Sequence, residues 1–219
     1  MSSVVVKICG LSTPPTLEAA IEAGADMAGF VFFEKSPRHI DLATARELGA
    51  LARGRIKKVA LTVSAADAEI EAIIAALEPD FLQLHGSETP ERAAQVRAFF
   101  GLPIIKAIGV ATAADVAGSG DYAAADIILF DAKPQPGAKI PGGAGAAFDW
   151  GLLRNVRAMS WMLSGGLDAD NVARALVETG AQAVDVSSGV ESARGVKDEA
   201  RIAAFVKAAR ALSLPASKV

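Results

Sequence analysis

A single cysteine, Cys9, and two histidines, His39 and His85, are all that 219 residues offer of the usual soft metal ligands. One cysteine excludes an internal disulfide and fits a reducing compartment. With so few thiol and imidazole groups, a His/Cys zinc cage is not expected, nor is any other cofactor. No cluster of Lys and Arg interleaved with aromatics appears, and the net charge is −3, so nothing points to nucleic acid. No apolar run reaches the roughly 18 residues of a membrane span. The N-terminus Met1-Ser2-Ser3 lacks the basic and apolar regions of a signal peptide. The expectation is a cytoplasmic protein, monomer or homodimer, whose partner is a small molecule.

Apolar residues, in contrast, are plentiful: 52% of the chain, with a mean hydropathy of +0.34. They fall into eight short runs: Val4–Cys9, Ala28–Phe33, Lys57–Val63, Asp80–His85, Pro103–Ile108, Asp126–Asp131, Ser160–Leu163 and Ala183–Ser187. Their starts are 24, 29, 23, 23, 23, 34 and 23 residues apart. Helical patterns such as Thr16–Ala23, Ala66–Leu77 and Pro90–Phe100 fill the gaps. Strands alternating with helices imply parallel pairing and right-handed crossovers. Eight such units close a single (β/α)8 TIM barrel, one domain over residues 1–219 with a frayed tail at 213–219. The joints repeat as well: Gly24-Ala25-Asp26, Glu78-Pro79-Asp80, Ala124-Ala125-Asp126 and Gly180-Ala181-Gln182 each end a helix just before a strand.

Functional groups in such a barrel sit at the C-terminal ends of the strands. Cys9 ends the first strand, and Gly10 follows, which permits close approach of a ligand. A lone cysteine is most often an inert buried hydrophobe. At a strand tip, however, a thiol with an ordinary pKa of about 8.5 can act as a base near neutrality. Asp131 ends the sixth strand, across the barrel. A carboxyl acid facing a thiol base makes a proton-out, proton-in pair; the plainer role for an isolated Asp is a cap. Arg38 lies in the Lys35-Ser36-Pro37-Arg38-His39 loop, and its fork suits a carboxylate. Gly165 and Gly166 follow strand seven, and Ser188 and Gly189 follow strand eight, the usual place for phosphate in barrels. His85 closes strand four and suits a hydrogen-bonding or orienting role. Asp168 is expected to cap a helix, as is Asp149, at the start of a helix after strand six. Trp150 and Trp161 read as packing residues. Side-chain alternation places Lys7 below Cys9, and Asp185 on the neighbouring strand, so the two should pair. The long segment Ala132–Ala147 has the composition of a mobile lid.

These motifs resemble the phosphoribosylanthranilate isomerase family. The matching pieces are Lys7-Ile8-Cys9-Gly10, Gly29-Phe30-Val31-Phe32 with Ser36-Pro37-Arg38, Leu82-Gln83-Leu84-His85-Gly86 and Phe130-Asp131. Gly142-Gly143, Phe148-Asp149-Trp150, Leu163-Ser164-Gly165-Gly166-Leu167 and Val184–Glu191 continue the match in order. Ala132-Lys133-Pro134 departs from it, where a threonine or serine is more usual. The resemblance implies an Amadori rearrangement of N-(5′-phosphoribosyl)anthranilate in tryptophan biosynthesis. It makes Asp131 the general acid, Cys9 the general base, Arg38 the carboxylate clamp and the two glycine loops the phosphate site. Two alternatives stand beside it. One is a related phosphate-binding isomerase of histidine synthesis, which carries Asp where Cys9 stands. The other is a sugar-phosphate binder that keeps the glycine loops without chemistry.

Overall fold

The computed structural model describes residues 4–133, 148–156 and 160–211. Eight parallel strands close a barrel in chain order. They are β1 (Val5–Cys9), β2 (Met27–Phe32), β3 (Lys57–Thr62), β4 (Phe81–Leu84), β5 (Ile104–Val110), β6 (Ile127–Ala132), β7 (Trp161–Leu163) and β8 (Ala183–Val186). The helices between them are α1 (Pro14–Glu22), α2 (Leu42–Ala52), α3 (Asp67–Leu77), α4 (Pro90–Phe100), α5 (Ala113–Gly118) and α6 (Val172–Thr179). An antiparallel pair, β9 (Glu191–Ala193) with β10 (Val196–Lys197), follows β8 and leads into α7 (Glu199–Arg210). The expected barrel is therefore present; the β9–β10 pair is not something the periodicity announced. The proposed lid and the frayed tail fall almost wholly outside the described residues.

The recurring joints have a physical purpose. Asp26, Asp80 and Asp126 each turn a carboxylate back onto the previous strand, accepting from the N–H groups of Val6, Lys58 and Ile104 at 2.7, 2.8 and 2.8 Å. The same side chain recurs because each parallel strand begins with an N–H that needs an acceptor. At the seventh joint, the Val5 N–H goes instead to the Gln182 carbonyl.

One expectation needs correcting. Asp149 does cap, accepting from the Gly151 N–H at 2.9 Å, but the segment it opens is a short 3₁₀ helix, Trp150–Leu153, and not an α-helix. Gly151 in its first turn is a poor helix former, and four residues cannot sustain an α-helix on their own. Asp168 accepts from the N–H groups of Asp170 and Asn171, capping the turn that leads into α6. Trp150 is buried, and Trp161 packs edge-on against Phe130.

Two shells fill the fold. Between barrel and helices lies one large apolar cluster that includes Phe30, Phe130, Leu17 and Phe205. Inside the barrel, Met27, Val59, Ile105, Ala107, Leu129 and Met162 form a smaller layer. Above it the interior turns polar at Lys7, Gln83 and Asp185, all buried. Cys9, Val31 and Leu61 form a third apolar patch at the mouth.

Candidate active site

Strand alternation decides what reaches the mouth. On β1, Val5, Lys7 and Cys9 face inward, and the β1–β8 register sets Lys7 beside Asp185. The expected pair forms: Lys7 Nζ donates to Asp185 Oδ1 at 2.7 Å, with Lys7 fully buried. Asp185 Oδ2 accepts from the Ser164 hydroxyl at 3.1 Å, which ties β1, β7 and β8 together. Burial pulls the Lys7 ammonium down, but Asp185 and Cys9 outweigh it, and Lys7 ends above the ordinary lysine value. Burial pushes the Cys9 thiol up; Lys7 opposes that rise without cancelling it, and Asp185 adds to it.

Cys9 is buried at the tip of β1, 4% exposed, beside Val31 and Leu61. Gly10 follows with φ at +81°, and a side chain there would meet Arg38 Cδ at 2.6 Å. The glycine thus lets Arg38 cross directly over the end of β1. Arg38 is anchored by a two-point ion pair: Nε to Glu191 Oε1 at 2.6 Å and Nη2 to Glu191 Oε2 at 3.0 Å. Lys197 Nζ donates to the same Glu191 Oε1 at 2.7 Å and to the Ser187 carbonyl at 2.8 Å. Burial would raise the Glu191 carboxyl, yet Arg38 and Lys197 hold it at about 2. Lys197 itself is pulled below the ordinary lysine range by burial. The Arg38 loop is held internally as well, by the Arg38 N–H on Ser36 Oγ and the Ile40 N–H on the Val31 carbonyl.

Asp131 ends the inward face of β6, 7% exposed. Its Oδ1 accepts from the Ala132 N–H at 2.8 Å, and its Oδ2 lies 3.5 Å from His85 Nε2. The Gln83 amide nitrogen lies 2.8 Å from His85 Nδ1, which leaves Nε2 facing Asp131. His85 therefore sits against the carboxyl group, as an orienting residue would.

Gly165 and Gly166 have φ at +85° and +66°, and a side chain on Gly165 would meet the Ala132 nitrogen at 2.7 Å. Gly189 lies in the 3₁₀ turn Ser188–Val190, where a side chain would run into the Leu167 carbonyl at 1.9 Å. Gly189 thus packs the second loop against the first, while Gly165 packs the first against the end of β6. Among the described residues, nothing accepts a hydrogen bond from the N–H groups of Gly165, Gly166, Ser188 or Gly189. Unspent backbone N–H groups of this kind suit a phosphate.

The fold thus gathers Cys9, Arg38, His85, Asp131 and both glycine loops at one end of the barrel. Sequence reasoning missed Glu191 and Lys197. Their signal was present but faint: an acidic residue directly after the second glycine loop, with a lysine six residues on.

Comparison with known proteins decides the family. The profile described as "N-(5'phosphoribosyl)anthranilate (PRA) isomerase" matches residues 6–208. The chain belongs to this family. It is an aldose–ketose isomerase of tryptophan biosynthesis. An N-(5′-phosphoribosyl)anthranilate isomerase of Rhodopseudomonas palustris strain BisB18 is 60% identical over 210 residues, covering 95% of this chain and 96% of the relative. One from Nitrobacter hamburgensis is 58% identical over 214 residues, covering 97% and 95%. Among solved structures, the phosphoribosylanthranilate isomerase of Thermotoga maritima superposes with a TM-score of 0.86 at 34% identity, covering 95% of this chain and 100% of that one. An isomerase of the same family solved with reduced 1-(o-carboxyphenylamino)-1-deoxyribulose 5-phosphate superposes with a TM-score of 0.83 at 33% identity, covering 95% and 100%. Among the described residues no helix is long and apolar enough to cross a membrane.

Proposed function

We propose that the chain converts N-(5′-phosphoribosyl)anthranilate to 1-(2-carboxyphenylamino)-1-deoxyribulose 5-phosphate with Asp131 as general acid and Cys9 as general base. Asp131 gives a proton to the ribose ring oxygen, and the C1′–O bond opens to an iminium ion. The Cys9 thiolate takes the proton from C2′, and the electron pair of that bond neutralises the iminium nitrogen. The resulting enolamine tautomerises to the ketone. His85, held by Gln83, keeps the Asp131 carboxyl oriented. Arg38 binds the anthranilate carboxylate, with the Val31–Leu61 patch beneath the aromatic ring. The N–H groups of Gly165, Gly166, Ser188 and Gly189 take the phosphate. The protein works in the cytoplasm, as a monomer or a homodimer.

The observation that carries this reading is the placing of one thiol and one carboxyl at the tips of β1 and β6, on either side of the barrel mouth. A histidine-pathway isomerase of the related type is disfavoured by Cys9 itself. General acid and base groups supply typically ~10²–10⁴-fold each, and two anion sites that fix the substrate supply much of the rest. The direct test follows turnover of phosphoribosylanthranilate by its fluorescence. Cys9→Ala and Asp131→Asn should each lose ~10²-fold or more in kcat while still binding the phosphorylated product. Wild-type turnover in either variant removes that residue from its role. Wild-type turnover in both hands the isomerisation to other groups at the barrel mouth.

A further inference from the structure

Two buried ammonium groups act on Cys9, Lys7 and Lys197, and only Lys7 stands on the same strand. We propose that Lys7 is a positioning residue for the isomerisation: its ammonium, anchored on Asp185, is the charge that lets the Cys9 sulfur act as a base. This rests on the reading of Cys9 given above.

Three observations carry it. First, geometry puts the groups together. Lys7 and Cys9 share the inward face of one strand, and the strand beside them contributes Gly29, paired in register with Cys9. A side-chain carbon on Gly29 would lie 3.0 Å from the Cys9 sulfur and 3.2 Å from Lys7 Nζ. The sulfur and the ammonium therefore flank one notch, which stays open only because residue 29 has no side chain. Second, Lys7 is fixed. It is fully buried, and its 2.7 Å bond to Asp185, itself bonded to Ser164, leaves the ammonium little freedom. A charge that cannot swing away need not be reorganised when the thiolate forms. Third, Lys7 cannot be the base itself. Asp185 and Cys9 keep it protonated, so it holds its proton throughout while the C2′ proton passes to sulfur.

The other charged groups around the sulfur do not take over this task. Asp185 on β8 opposes thiolate formation, and Lys197 on β10 acts on Cys9 less strongly than Lys7 does. Lys197 is moreover committed to Glu191, between Arg38 and the Ser187 carbonyl. The β2 residues facing the sulfur, Gly29 and Val31, carry no charge. Asp131 stands on the opposite side of the mouth.

Because Cys9 is the only cysteine, the ultraviolet absorbance of thiolate reports it alone once the same background carrying Cys9→Ala is subtracted. Thiolate formation is titrated in the wild type, in Lys7→Met and in the double variant Lys7→Met/Asp185→Asn. The double variant removes both charges, so no unpaired ion is left buried if the single variant does not fold. In every folded variant the midpoint should rise, by about 1 pH unit or more in Lys7→Met and by less in the double variant, which also loses the opposing Asp185 charge. At neutral pH kcat should fall about tenfold or more, recovering as pH is raised, with KM changed far less. A folded variant with a wild-type thiol midpoint overturns the proposal and leaves Lys7–Asp185 as a purely structural pair. If instead Cys9→Ala turns over normally, it is the assignment of Cys9 as base that fails, and the titration still measures the effect of Lys7 on sulfur.

Discussion

Among the described residues, two buried lysine–carboxylate pairs that share no partner with an arginine have nearly the same bond length: Lys7–Asp185 at 2.7 Å and Lys106–Glu88 at 2.8 Å. They do different things, and the face of the strand decides which. Lys106 lies on the outward face of β5, since Ile105 and Ala107 fill the barrel interior. Its ammonium donates to the Leu84 and Gly86 carbonyls as well as to Glu88, and it lies 5.6 Å from the centre of the Tyr122 ring. Glu88 in turn accepts from the N–H groups of Ser64 and Gly86. That cluster spends its hydrogen bonds on clamping the loops after β3 and β4. Lys7 lies inside, where its charge acts on both a carboxylate and the sulfur proposed as the base. Burial and pairing alone do not distinguish a stabilising ion pair from a functional one; what the charge faces does.

Breaking the outer pair should therefore separate the two kinds of effect. Lys106→Met leaves Glu88 buried without its counter-ion and should cost about 3–5 kcal/mol in denaturant unfolding. Its thiol titration should stay at the wild-type midpoint and its kcat close to wild type at temperatures where it is folded. Lys7→Met should lose stability of the same order and, unlike Lys106→Met, carry the change in titration and turnover with it. Equal catalytic damage from both would erase the distinction drawn here.

A smaller effect comes from the third buried carboxylate, Glu191, which Arg38 and Lys197 share. Its carboxyl is held at about 2, below the ordinary glutamate value, so the charged form is favoured by folding. The sign follows from that: this contribution is fully present above the ordinary carboxylate range near ~4.3 and is lost as pH falls through about 2. Stability measured against pH in the wild type and in Glu191→Gln should differ by a component confined to that acid window. The same acid dependence in both proteins would show that Glu191 does not set it.

The barrel was legible because eight apolar runs, evenly spaced and joined by repeating Asp-containing turns, leave few other ways to bury so much β-branched surface. The inner pair was legible too, since strand alternation puts Lys7 under Cys9 and parallel closure puts β8 beside β1. Glu191 and Lys197 were not, because they sit on the β9–β10 pair, whose two short strands carry no alternation long enough to read. The partner of Lys106 was equally hidden: an outward lysine meets whatever the next loop supplies, and Glu88 lies on a loop with no periodic signal. The helix expected after Asp149 failed for a local reason, a glycine in the first turn of a very short segment. The lid segment was read from composition alone and, past Lys133, lies outside the described residues.

The account turns on Cys9 drawing a proton from carbon, and one labelling measurement addresses that step without relying on overall rate. Phosphoribosylanthranilate carrying deuterium at C2′ is mixed with wild-type enzyme, Asp131→Asn and Cys9→Ala, and deuterium released to water is followed. The wild type should release it in step with product, and Cys9→Ala should release none above the uncatalysed level. Continued enzymatic release from Cys9→Ala would contradict the account, because another group would then be the base.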